Sequence, residues 1–189
     1  DDELIYKLTS NNVVLHIFLV KEKKKILLAD EGFGVTQIVY VLLQIEIIIA
    51  TSAYKFSHPF IKGVEQKFRE STIAIEEPEI NLHPKFQSLL ADLFINAYKT
   101  FNIHFVVETH SEYIIRKLQT FVAKKEIKPD DVALHYLYPH DKQQRPKGKP
   151  QVMKIRIKDD GRLNESFGTG FFDEADNLAM DLLKIKSLN

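Results

Sequence analysis

Two adjacent glutamates, Glu76 and Glu77, close a short apolar run in the segment IAIEEPEINLHP. Carboxylates delivered together at the end of a buried strand suit phosphoryl-transfer chemistry. One orients Mg²⁺, usually through its waters, and the other polarises the attacking water. Glu76 and Glu77 fit those two roles. Neighbouring strand residues point to opposite faces, so the pair can act together only where the strand ends and the backbone turns. Pro78 favours an ending there, because it cannot donate to a sheet ladder. Taken alone, a pair of acids at such a place is more often a solvated helix start than a metal site, so the surrounding residues carry much of the argument.

Three further segments hold residues of chemical interest. FVVETHSEYII sets His110 just after an apolar run; alone it reads as a loop histidine beside Thr109 or Ser111, either of which could cap a following helix. DEGFGVTQ carries Gly32 and Gly34, a pattern that by itself marks a tight turn before a helix. His83, His104 and His110 lie on different elements without the spacing of a zinc helix, which favours structural roles. The loop bearing Lys142, Arg145, Lys147 and Lys149 reads as a solvated hairpin tip, the Lys21 to Lys25 cluster as a charged turn, and Phe171 and Phe172 as core or interface residues.

The elements that must position these groups follow from the apolar pattern. Val13 to Val20 and Lys25 to Ala29 predict a hairpin across the polar KEKK. Ile38 to Ala50, interrupted by Gln44 and Glu46, predicts a helix that belongs to the core and is too short to cross a bilayer. Thr51 to Arg69, with Pro59 and Gly63, predicts an irregular or partly helical insertion. Thr72 to Ile75 and Ile103 to Val107 predict buried strands, separated by a helix that starts at His83-Pro84 with apolar residues from Phe86 to Phe101 at helical spacing. A helix with Ile114, Leu118, Phe121 and Val122 on one face follows. Strands at Val132 to Tyr138 and Gln151 to Ile157, a DDGR turn and a closing helix from about Asp173 complete the chain. The order predicts an α/β fold with a mainly parallel sheet, flanking helices and a β-hairpin near the N-terminal side.

In this order the motifs resemble those of ABC-type ATPases of the AAA ABC-like group, particularly the overcoming-lysogenization-defect and RecF-like branch. The resemblance makes IAIEEPE the Walker B segment, with Glu76 at the Mg²⁺ acid and Glu77 at the catalytic glutamate. It makes INLHP the D-loop region, His110 the switch histidine, and DEGFGVTQ the signature motif that caps the γ-phosphate held by an opposite subunit, with Gly32, Gly34, Thr36 and Gln37 as its nucleotide-facing residues. It covers roughly Leu28 to Ser111, and the tail through GFFDEA looks like the C-terminal region of uncharacterised bacterial members. Glu76 stands where Asp is more usual, His83 where many relatives carry the D-loop Asp, and GFGVTQ differs from LSGGQ, which leaves open whether Gly34 or Thr36 contacts phosphate. No G-x-x-x-x-G-K-[ST] phosphate loop occurs in the sequence, and its only Gly-Lys pair, Gly148-Lys149, lacks the upstream glycine.

The resemblance therefore implies the C-terminal portion of an ATPase head, a single domain over residues 1–189, that binds ATP and Mg²⁺. It would dimerise around nucleotide as a homodimer or with a complementary Walker A lobe, and work in DNA repair or phage defence with a DNA or effector nuclease partner. A non-catalytic half-head, acting in dimerisation or regulation, is the competing expectation. A nuclease ranks low, since no apolar strand ends in Glu-Gly with a later Asp-x-Asp. Lys and Arg number 26, as do Asp and Glu, so no global field draws the chain to nucleic acid or lipid, and any such binding must be local. The absence of cysteine excludes disulfides and thiolate metal sites, and with no export signal at the acidic start it points to a cytoplasmic protein without a membrane partner. The first residue is not Met, which suggests that the sequence begins inside a longer polypeptide or after processing.

Overall fold

Helix and strand alternate along the chain because apolar periodicity switches repeatedly between the two patterns. The computed structural model describes residues 3–9, 14–21, 24–27, 33–57, 64–141, 145–168 and 170–186. Two compact units divide the chain, Asp1–Thr109 and His110–Asn189.

The first unit starts with three antiparallel strands, β1 (Glu3–Thr9), β2 (Val14–Lys21) and β3 (Lys24–Leu27), the last two forming the hairpin expected across the lysine-rich turn. Helix α1 (Phe33–Ser52) follows, then β4 (Ala53–Ser57), β5 (Val64–Phe68), β6 (Ser71–Glu76), α2 (Pro84–Phe101) and β7 (Ile103–Glu108). Strands β6 and β7 pair in parallel, from Ser71 opposite Ile103 to Glu76 opposite Glu108. A parallel pair needs a long crossover, and α2 supplies it. The other pairs among the described residues are antiparallel: β1 with β2, β2 with β3, β4 with β5, and in the second unit β8 (Leu134–Leu137) with β9 (Val152–Ile155). The mixed α/β class holds, but the sheet is not mainly parallel among the described residues, because only β6 and β7 pair across an intervening helix.

Helix α2 is fixed at both ends. His83 Nδ1 accepts a hydrogen bond from Lys85 N at 3.3 Å and Pro84 opens the first turn, where its missing N–H costs nothing. Asn102 ends it in the left-handed region at φ 57, its N–H donating to Tyr98 O at 3.0 Å. Leu90, Ala91, Phe94, Ile95 and Ala97 form the buried face, and the Phe94 ring lies 4.7 Å from that of Phe105 on β7. That contact seats the crossover on the strand that runs beside β6.

Two expectations are overturned here. Thr51 to Arg69 is not an irregular or partly helical insertion: α1 continues to Ser52, and β4 and β5 then pair antiparallel from Ala53 opposite Phe68 to Ser57 opposite Val64. Arg69 N donates to Ser52 O at 3.1 Å and closes the hairpin's base, while Pro59 and Gly63, which suggested irregularity, fall between the strands and outside the described residues. Helix α1 is also longer and less buried than its apolar run suggested. Of its 20 residues only Val39, Val41, Ile45 and Ser52 are buried, and Phe33, Tyr40 and Ile47 stand out to solvent. By length and composition it is apolar enough to cross a membrane, a test that core helices of soluble proteins also pass.

The second unit runs through α3 (Glu112–Ala123), a 3₁₀ turn (Pro129–Asp131), β8, β9 and α4 (Glu174–Lys186). Ser111 Oγ caps α3 by accepting from Ile114 N at 3.3 Å, and Ile114, Ile115, Phe121 and Val122 are its buried residues. The DDGR turn forms as expected. Gly161 sits at φ 80, where a Cβ would meet the Gln119 carbonyl at 2.7 Å, and Gln119 Nε2 donates to Gly161 O at 2.7 Å. Hydrogen bonds from Arg162 to Asp160 hold that carboxyl below the usual carboxylate range. Phe171 and Phe172, expected as core or interface residues, are half-buried and join Tyr136 and Phe167 in an aromatic cluster.

Candidate functional site

The site is built on the C-terminal end of β6, where the parallel ladder outlasts the strand by one residue. Glu76 is the last strand residue and is exposed. Glu77 then donates its N–H to Glu108 O at 2.9 Å while its own φ turns to 44. The chain thus ends its extended run at the second glutamate, as the paired-carboxylate chemistry requires, and the half-buried Glu77 sits in a left-handed conformation that L-residues adopt at a cost of about 1–2 kcal/mol. Pro78 and Glu79 are buried directly behind it.

The turn that follows is tightly bonded. Ile80 N donates to Glu77 O at 3.1 Å, and Leu82 N donates to Glu79 O at 3.0 Å. Asn81 takes a second left-handed position, φ 60, before buried Leu82 and the His83 cap lead into α2. Asparagine tolerates this region better than most residues, so the turn was partly legible in INL. Two departures from ordinary backbone lie within the segment whose carboxylates are the candidates for chemistry, a placement typical of functional sites.

Helix α1 meets this turn at its first residues. A Cβ built on Gly34 would lie 2.6 Å from the Asn81 carbonyl oxygen and 3.1 Å from Leu82 Cδ2, so only glycine permits the approach. Further along, α1 and β6 flank an open cavity of about 350 Å³ lined by Gln37, Tyr40, Val41, Gln44, Ala74, Ile75 and Glu76. Gln37 and Glu76 therefore share one cavity, Gly34 packs on the turn beyond Glu77, and Thr36 lies half-buried in the first turn of α1. Gly32 lies outside the described residues. His110 is exposed, opens the second unit and follows Glu108 by two positions in the chain.

Of the three histidines considered for a metal, the other two have structural partners. His83 caps α2, and His104 Nε2 stands 3.4 Å from Glu70 while its ring packs against Tyr98. Among the described residues no group of three or more His, Cys, Asp or Glu side chains could enclose a metal. That does not argue against Mg²⁺, which keeps several waters and is commonly held by one or two carboxylates plus substrate phosphates. An exposed Glu76 on a cavity wall fits such a partial site. Sequence reasoning missed two contributors, the Glu108 carbonyl that anchors Glu77 and the packing role of Gly34. Backbone acceptors leave no signature in residue type.

Residues 3–115 match the family of AAA ATPase domains, and residues 127–182 match a family described as a protein of unknown function, DUF3696. No curated protein matches the chain.

Proposed function

Because the chain belongs to the AAA ATPase domain family, matched over more than half its length, we propose that the end of β6 is the metal- and water-handling edge of an ATP-hydrolysing head. The observation that carries this reading is the backbone at Glu76 and Glu77: one carboxylate on a cavity wall, the next turned by a left-handed residue and anchored to the neighbouring parallel strand. Glu76 would hold Mg²⁺ through its waters. Bound Mg²⁺ supplies charge neutralisation to the phosphates. Glu77 would orient and polarise the attacking water, and His110 would act as the switch histidine. The start of α1, with Gly32, Gly34, Thr36 and Gln37, would face nucleotide held by an opposite subunit. Gly34 is committed to packing on Asn81, which favours Thr36 for a phosphate contact.

The finer resemblance to the overcoming-lysogenization-defect and RecF-like branch extends the proposal to a cytoplasmic head, dimerised around ATP as a homodimer or with a complementary Walker A lobe, in DNA repair or phage defence. DNA and an effector nuclease are the partners it suggests. The lack of a G-x-x-x-x-G-K-[ST] loop in the sequence favours a second reading, a half-head that dimerises or regulates without productive ATP binding. Phosphate contacts in such heads come largely from that loop's amides and lysine, so the chain alone should turn over little ATP. Robust Mg²⁺-dependent hydrolysis by the purified chain, lost in Glu77→Gln, would overturn the half-site reading. In a head completed with a Walker A lobe, Glu76→Gln should raise the Mg²⁺ concentration needed for ATP binding, whereas Glu77→Gln should not. Identical Mg²⁺ titrations for the two variants would end the separate assignment of metal and water roles.

A further inference from the structure

The hairpin of β4 and β5 lies between α1 and β6 in the chain, and neither the carboxylate chemistry nor the α1 contacts use it. Its two faces differ. Ala53 pairs with Phe68, and the Phe68 ring meets Phe101 at the end of α2 edge-on, with centroids 5.0 Å apart. That face is turned to the body of the unit. Tyr54 pairs with Lys67, and directly opposed residues of an antiparallel pair project to the same side, so both lie on the other face. Arg69, two residues beyond Lys67, places its guanidinium 6.0 Å from the centre of the Tyr54 ring, which puts it on that face as well. Tyr54 is 40% exposed, and Arg69 is exposed.

An exposed aromatic ring flanked by two cations is the arrangement that binds flexible nucleic-acid strands: the ring offers a surface for a base, and the cations meet the phosphates. The local charge has the right sign. The cations on the Tyr54 face are Lys67 and Arg69, Lys55 pairs with Gln66 on the Phe68 face, and Glu70 faces His104, in a chain whose charges balance overall. An acidic protein surface would be drawn to the same cations but would have little use for the ring. We propose that this outer face of the β4–β5 hairpin is a contact for single-stranded nucleic acid, with Tyr54 stacking a base and Lys67 and Arg69 holding the adjacent phosphates.

The test uses the full chain without nucleotide, so that its outcome is independent of the ATPase reading. Fluorescein-labelled oligothymidylate and oligouridylate are titrated at several salt concentrations into wild type, Tyr54→Phe, Tyr54→Ala, Lys67→Gln and Arg69→Gln, with circular dichroism confirming that each is folded. Tyr54→Phe should bind as wild type does. Tyr54→Ala should weaken binding by about 5- to 150-fold with an unchanged salt slope. Each Gln variant should reduce the slope of log affinity against log salt by about 0.7, the change expected when the protein neutralises one phosphate fewer on a single strand. Absence of binding by wild type, equal binding by Tyr54→Ala, or competition by polyglutamate as effective as that by unlabelled oligonucleotide would overturn the proposal, the last in favour of an acidic protein partner.

Discussion

At the residue scale, the backbone at Glu77 joins stability to the proposed chemistry. A left-handed glutamate is strained, and the ladder bond to Glu108 together with the buried Pro78 holds it there. Glu77→Gly removes that strain and should raise the unfolding free energy by about 0.5–1 kcal/mol, after the extra entropy of a glycine in the unfolded chain is deducted. The same change should abolish turnover in a complete head. Chemical denaturation monitored by circular dichroism checks the first part; a loss of stability would mean the left-handed turn is not strained. Gly34 works in the opposite sense. Gly34→Ala forces a methyl against the Asn81 carbonyl, and should cost about 1–3 kcal/mol by the same measurement. An unchanged midpoint would show that α1 does not approach the turn so closely.

At the element scale, the sequence was most legible where a pattern met its own partner. The apolar spacing from Phe86 to Phe101, with His83-Pro84 ahead of it, predicted α2 closely, because its buried face packs within the same unit against β7. Strands β6 and β7 were visible as apolar runs, and their parallel pairing follows from the helix between them. The β4–β5 hairpin was not visible, since Pro59 and Gly63 suggest irregular chain in sequence and the strands carry too many polar residues to show alternation. For α1 the helix was legible but its burial was not: a run of apolar residues specifies a preference for an apolar neighbour without saying whether one is present. In the second unit, DDGR was read correctly as a turn, and its glycine is required twice, by φ 80 and by the Gln119 carbonyl. Gly161→Ala should therefore destabilise that unit by about 1–3 kcal/mol or more, seen as faster amide exchange in α3. Unaltered exchange would contradict the close approach.

At the scale of the whole molecule, the chain belongs to the AAA ATPase domain family, and the edge proposed at the end of β6 lies in a sequence without a G-x-x-x-x-G-K-[ST] loop. The paired carboxylates were legible from sequence because their chemistry constrains residue type. The left-handed turn at the second of them is visible in sequence only as a need of the proposed chemistry, since dihedral angles are set by the ladder to Glu108 and by packing. In the proposed head, Glu77 acts on the attacking water. The most direct test of that role is ATP turnover and ATP affinity of a head completed with a Walker A lobe, for wild type and Glu77→Gln. Glutamine keeps the shape and removes the charge, so kcat should fall by roughly 10²- to 10⁴-fold while affinity changes only a few-fold. Turnover that survives Glu77→Gln in that head would contradict the claim.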